Sequence, residues 1–142
     1  MNRDDNRQLC DWPELVPQCS LRWESLIAAH HNVLLEGPRH ATEKTIGLLQ
    51  PHLRGPVRRK RHGETLVLDV EPRGTLVMDD VAALNAGEQT RLRRWLDESP
   101  RARIVSAATT PLFSQVVRGL FDESLYYRLN VILLRIAAGT DH

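Results

Sequence analysis

The feature that most constrains this chain is the run Leu76, Val77, Met78, introduced by Gly74 and Thr75 and ending in Asp79 and Asp80. A short apolar run without alternation suits a strand buried on both faces of a parallel sheet. A strand that feeds two carboxylates places them at its carboxyl end, the edge where ligands bind in open α/β sheets. The same text alone also describes a core strand followed by an acidic loop, so the flanking sequence has to decide.

The flanks alternate strand and helix patterns. Val33, Leu34 and Leu35 form a short buried strand closed by Gly37 and Pro38. The next segment opens a helix that continues through Ile46, Leu49 and Leu53 until Gly55 and Pro56 stop it. Residues 65–70 are apolar and β-branched and predict another strand. Only three residues separate it from the acidic strand. A parallel crossover needs about a dozen, so the two form a hairpin or do not share a sheet. After Asp80, Asn85 with Glu88 makes a capping-box start for a helix striped by Leu92, Trp95 and Leu96. Residues 104–108 are the next buried strand. Thr110 is placed to cap a helix with Pro111 at its first position, its buried face being Phe113, Val116, Val117 and Leu120. Asp122 starts a short helix carrying Leu125, Tyr126, Tyr127 and Leu129, and residues 131–136 form a last strand. Tyr126 and Tyr127 pack or face a subunit boundary, and Trp12, Trp23 and Trp95 read as packing residues.

Before all this, residues 1–19 read as an irregular, charged tail, and residues 20–142 as a single α/β domain. Ser20 is its first helix cap, ahead of Trp23, Leu26 and Ile27, with His30 and His31 at the helix end. The chain has 142 residues, enough for one core. A net charge of +1 makes no whole-chain argument for nucleic acid. No apolar run reaches the roughly 20 residues of a membrane span, and the polar start has no signal-peptide core. Cys10 and Cys19 form neither a disulfide framework nor a zinc site. A reducing cytoplasm is the expected location.

Two segments carry candidate phosphate chemistry. A phosphate-binding loop needs glycines that turn backbone N–H groups onto the anion, a lysine for the terminal phosphates and a hydroxyl for the metal. The stretch from Gly37 to Thr45 has the right position. Read without a gap, however, it puts Thr42 in the place of the second glycine and Glu43 in that of the lysine. A one-residue insertion brings Lys44 into the lysine's place and Thr45 into the hydroxyl's. The second segment is the basic run Arg58, Arg59, Lys60, Arg61 and His62. It reads as a solvated loop or a charge-protected edge strand, with phosphate-backbone contact as the alternative.

Four stretches then occur in order: "GTLVMDDVAAL", "LRRWLDE", "RIVSAATTPLF" and "GLFDESLYYRLNV". They resemble the AAA+ central domain of bacterial sigma-54-dependent transcription activators, where the text runs close to GTLFLDEIGEL, LLRVLQE, VRVIAATNRDL and FREDLYYRLNV. The resemblance implies a three-layer α/β sandwich, P-loop NTPase-like, with a mostly parallel sheet. It implies ATP and Mg2+ as cofactors. Gly37, Lys44 and Thr45 would stand at the phosphates, Asp79 at the metal, Asp80 in place of the water-activating glutamate and Thr110 in place of the sensing asparagine. Arg128 matches one arginine finger, acting on a neighbouring subunit of a homo-oligomer; Asp122 stands where the family has the other. The family's sigma-contacting GAFTGA loop has no counterpart in residues 45–74, and the helical lid after the last strand is expected to be missing.

The expected function is therefore a degenerate sigma-54-activator-type domain. It would act in bacterial transcription control through protein contacts, with sigma-54 RNA polymerase or a related regulator as partner, and with weak or no ATP hydrolysis. The alternatives are a working ATP-hydrolysing sigma-54 interaction domain and a nucleic-acid-binding accessory using the basic run at 58–61.

Overall fold

The computed structural model describes residues 31–68 and 73–136. The tail, the helix expected after Ser20 with His30 near its end, both cysteines, Trp12 and Trp23 lie outside the described residues. The elements run β1 (Val33–Glu36), α1 (Arg39–Leu49), β2 (Val57–Lys60), β3 (Thr75–Met78), α2 (Ala86–Glu98), β4 (Arg103–Ala108), α3 (Leu112–Val117), α4 (Glu123–Leu129) and β5 (Ile132–Arg135). The strands form one sheet in the order β2-β3-β4-β1-β5, with every pairing parallel. Helix α1 covers one face, where Ala41, Ile46 and Leu49 pack on Val33, Leu35, Val77 and Val105. Helices α2, α3 and α4 cover the other, where Leu92, Trp95, Leu112, Leu125 and Leu129 meet Leu34, Leu76, Met78 and Ile104. This is the expected three-layer sandwich.

Strand β3 is buried at all four positions, as its unalternated sequence requires. Helix α2 begins with the expected capping box. Asn85 Oδ1 accepts from Glu88 N at 2.8 Å, and Glu88 Oε1 accepts from Asn85 N at 3.0 Å. Gln89, buried on the same helix, donates to Leu84 O and Leu120 O and accepts from Asp122 N. It thereby fixes the corner between α3 and α4, and Asp122 caps α4 by accepting from Leu125 N.

The expectations at three elements are corrected. The strand expected at residues 65–70 is irregular over 65–68, where Leu66 is buried while its neighbours Thr65 and Val67 are exposed; residues 69–70 lie outside the description. Leu66 plugs the core without joining the ladder. The strand paired with β3 is instead the basic run, β2, whose residues 61–74 give a parallel crossover the length it needs. The basic run is thus the charge-protected edge strand that its composition allowed. The helix expected to reach Leu53 ends at Leu49 and gives way to a 3₁₀ turn, Gln50–His52. Helix α3 starts at Leu112 with Pro111 as N-cap and no cap from a neighbouring side chain, so Thr110 does not cap it. Its buried residue is Leu112; Phe113 is 45% exposed, Val117 71% and Leu120 57%.

Candidate functional site

Parallel pairing brings Gly37, Asp79, Asp80 and Thr110 to the carboxyl edge of the sheet. Strand β4 lies between β1 and β3, so the Gly37 turn and Asp79 are separated by two inter-strand spacings, roughly 10 Å. The acidic pair and the turn at Gly37 therefore belong to one edge, as the sequence reading required.

The surroundings of Asp79 differ from that reading. Its side chain is 4% exposed, and both its oxygens are held by Arg59 of β2. Arg59 Nε donates to Oδ1 at 2.8 Å and a terminal nitrogen to Oδ2 at 3.1 Å. This parallel, two-bond geometry is the strong form of a carboxylate–guanidinium pair. Asp80 is paired as well: His62 Nδ1 lies 3.1 Å from its Oδ2. A tight turn makes this reach. Glu64 N donates to Arg61 O and Arg61 N donates to the Glu64 carboxylate, with Gly63 at φ +85°, a conformation open to glycine. Two residues of the basic run thus stand against the two aspartates, Arg59 as the counter-charge of Asp79 and His62 as the neighbour of Asp80. Sequence reasoning saw the run and the pair but did not connect them. The connecting signal was the register, which places Arg59 beside Val77, two residues before Asp79.

The segment after β1 is equally specific. Helix α1 starts at Arg39, so Gly37 and Pro38 alone connect it to β1. Gly37 N donates to Ala108 O at 3.1 Å, which spends its amide on continuing the sheet. A Cβ on Gly37 would lie 2.6 Å from Ile136 O and 2.9 Å from Ile136 Cβ. The absence of a side chain here is demanded by the close passage of the chain leaving β5. Lys44 and Thr45 sit in the second turn of α1. Lys44 is exposed; Thr45 is fully buried and its hydroxyl donates to Ala41 O at 2.9 Å. Glu43 is paired with Arg39 at 3.2 Å on the exposed face. A magnesium–triphosphate site needs a loop of inward amides, a forward lysine, an available hydroxyl and an available carboxylate. Here the Gly37 amide is bonded to Ala108 O, Lys44 is exposed on α1, the Thr45 hydroxyl bonds within its own helix and Asp79 is held by Arg59.

Of the remaining predicted site residues, Thr110 is exposed at the carboxyl edge, just after β4. Arg128 ends up elsewhere. Its carbonyl accepts from Asn32 Nδ2, just before β1, which puts its backbone at the amino edge, opposite Asp79. Its guanidinium is ion-paired with Asp97 of α2. A further residue missed from sequence is Glu36, buried at the end of β1. Its Oε2 accepts from Leu112 N at 2.9 Å and so caps α3, while Arg135 lies 3.5 Å from Oε1.

Against known proteins, the model of the "Sigma-54 interaction domain" family matches residues 22–138. The DNA-binding transcriptional regulator NtrC of Rhizobium meliloti (strain 1021) is 37% identical over 75 residues, 44% of this chain and 16% of that protein. The transcriptional regulatory protein GlrR of Escherichia coli (strain K12) is 38% identical over 77 residues, 46% of this chain and 17% of that protein. Among solved structures, NtrX from Brucella abortus in complex with ADP superposes with a TM-score of 0.70 at 17% identity, over 96% of this chain and 38% of that one. The same protein in complex with ATP gives 0.67. At such identity the likeness shows the fold, and the aligned regions span about a sixth of the length of these curated relatives. The match over residues 22–138, together with the parallel five-stranded sheet and its acidic β3 terminus, establishes that the chain belongs to the sigma-54 interaction domain family.

Proposed function

We propose that this chain is a sigma-54-interaction domain that works in bacterial transcription control through protein contacts and hydrolyses ATP weakly or not at all. The observation that carries the reading is the Arg59–Asp79 pair. A guanidinium fixed by its own strand stands on the carboxylate that the family resemblance assigns to magnesium. The short turn at Gly37 and the buried Thr45 hydroxyl point the same way. Arg128, engaged by Asp97, adds that an arginine finger would first have to leave an intramolecular partner. Support for protein contacts comes from α3, α4 and the turn between them, where Phe113, Val117, Leu120 and Tyr127 are exposed apolar side chains close in sequence and partly in ring contact through Tyr126. Sigma-54 RNA polymerase or a related regulator is the partner class, and self-association is part of the proposal.

Use of the basic run as a DNA-binding stripe is the weaker reading, because Arg59 and His62 are occupied by Asp79 and Asp80. The deciding experiment is calorimetry with ATP and Mg2+ alongside phosphate release over a range of protein concentrations. The expected result is no magnesium-dependent binding and no turnover. Tight, magnesium-dependent binding with turnover that is lost in Asp79→Ala overturns the proposal.

A further inference from the structure

The amino edge of the sheet, opposite the acidic pair, carries a cleft of about 340 Å³ lined by Arg54, Arg73, Pro100, Arg101 and Ala102. Its three arginines come from three separate segments, those leading into β2, β3 and β4. The segments are held together by backbone. Thr75 Oγ1 donates to Arg54 O at 2.9 Å, Thr75 N donates to Pro56 O and Arg103 N donates to Gly74 O. Gly55, at φ +67°, lets residues 54–56 pass so close to Arg73 that a Cβ would lie 3.0 Å from the Arg73 carbonyl oxygen. The convergence is thus built by the fold and does not depend on flexible side chains alone.

Elsewhere several described arginines are matched with acids: Arg39 with Glu43, Arg59 with Asp79, Arg93 with Asp122, Arg128 with Asp97 and Arg135 with Glu36. Among the described residues, Arg54, Arg73 and Arg101 have no ion-pair partner, and none of the described residues lining the cleft is acidic. A fourth arginine, Arg103, is buried directly behind them at the start of β4. Burial and the neighbouring Arg54 guanidinium lower its pKa to about 10. Converging guanidinium groups repel one another, and a bound anion with several oxygens relieves that repulsion while accepting their forked N–H donors.

We infer that this arginine cleft is a binding site for a polyphosphate-type anion, formed by Arg54, Arg73 and Arg101 at the sheet edge remote from Asp79. A single phosphate occupies only part of such a volume, and two or more linked phosphates match the three converging donors better. The phosphates come either from a free small molecule or from a nucleic-acid backbone; the chemistry of recognition is the same. This site is independent of the proposed loss of hydrolysis, because it shares no residue with it.

The test is titration calorimetry of the full chain with pyrophosphate in low-salt buffer, comparing wild type with Arg54→Gln, Arg101→Gln and, as a marker of the opposite edge, Lys44→Gln. Wild type is expected to bind, with affinity that falls as salt rises. Each arginine variant should weaken binding about tenfold or more, the effect of losing a hydrogen bond between charged groups, and Lys44→Gln should leave it unchanged. Thermal melts confirm folding of each variant. In a second arm, duplex DNA replaces pyrophosphate. Retention lost in the same two variants and reversed by pyrophosphate identifies a nucleic-acid source, while pyrophosphate binding without DNA retention identifies a small molecule. No pyrophosphate binding by wild type, equal binding by the arginine variants, or loss of binding in Lys44→Gln overturns the inference.

Discussion

Replacing Arg59 by methionine keeps the length and apolar stem of the side chain and removes the cation from Asp79. The pair has a well-buried member, Asp79 at 4% side-chain exposure, and a partly buried one, Arg59 at 15%. Removing one partner of a buried ion pair costs about 3–5 kcal/mol because the other charge is left uncompensated. The residual exposure of Arg59 moves the expectation to or below the bottom of that range, about 2–3 kcal/mol. For a domain of this size each kcal/mol lowers Tm by roughly 4 °C, so the loss is about 8–12 °C. Arg59→Met combined with Asp79→Leu removes both charges together, and such replacements are often neutral. The double variant should therefore recover most of the loss, a coupling of about 2 kcal/mol. Mg2+ supplies a second readout. In Arg59→Met the freed carboxylate gains a cation site, so millimolar Mg2+ should raise Tm by the binding linkage, whereas wild type should not respond. Thermal denaturation followed by circular dichroism, with and without MgCl2, measures all of this. Additive single-variant losses, or an equal Mg2+ response in wild type, refute the idea that Arg59 substitutes for a metal.

Gly37→Ala should destabilise by about 1–3 kcal/mol, the usual cost of overpacking, since its Cβ would meet the Ile136 carbonyl at 2.6 Å; an unchanged denaturant midpoint would show that β5's exit is free to move. Burial raises the pKa of Tyr126, partly opposed by the hydrogen bond from Asn130, so its neutral form is favoured in the folded state. The sign is that of stability present below the ordinary tyrosine value of about 10 and lost as pH rises above it. Tyrosinate absorbance of a Tyr127→Phe variant, which leaves Tyr126 as the single tyrosine, should therefore rise only above the pH at which the unfolded chain titrates. A coincident titration would contradict the burial argument.

How much of this was legible in the sequence depended on which force fixed each residue. Strand β3 was readable because a strand covered on both faces must be apolar throughout. The start of α2 was readable because capping is local chemistry between Asn85 and Glu88. Strand β2 was open between a solvated loop and an edge strand. Arg58, Arg59 and Lys60 carry no strand-like pattern, and their place is set by the ladder to β3 and by Asp79 across the edge. Residues 65–68 erred in the opposite direction, since β-branching suggested a strand where only Leu66 is needed as a plug. In α3 the apolar stripe was phased wrongly. Leu112, the buried residue of that six-residue helix, is held through its amide by Glu36, a contact 76 residues apart that a local pattern does not encode.

The site follows the same division. That Gly37 and Asp79 share an edge was readable from strand order alone, because alternating strands and helices leave few topologies. What the edge holds was not, because the residues that alter it come from β2 and the turn after it. In a nucleotide-driven domain the counter-charge on the β3 aspartate is a diffusible ion, so its presence varies with nucleotide state. In this chain the counter-charge is covalently part of the sheet, fixed beside Asp79 by the ladder that pairs Arg59 with Val77. Its effective concentration is set by the fold and does not fall when nucleotide is absent. Under the proposed function, Asp79 neutralised in this way undergoes no change of counter-ion between loaded and empty states. On the same reading, any signal the domain passes on must then arise from what binds its surfaces, which makes the exposed apolar side chains of α3 and α4 and the arginine cleft at the opposite edge the places to look for control.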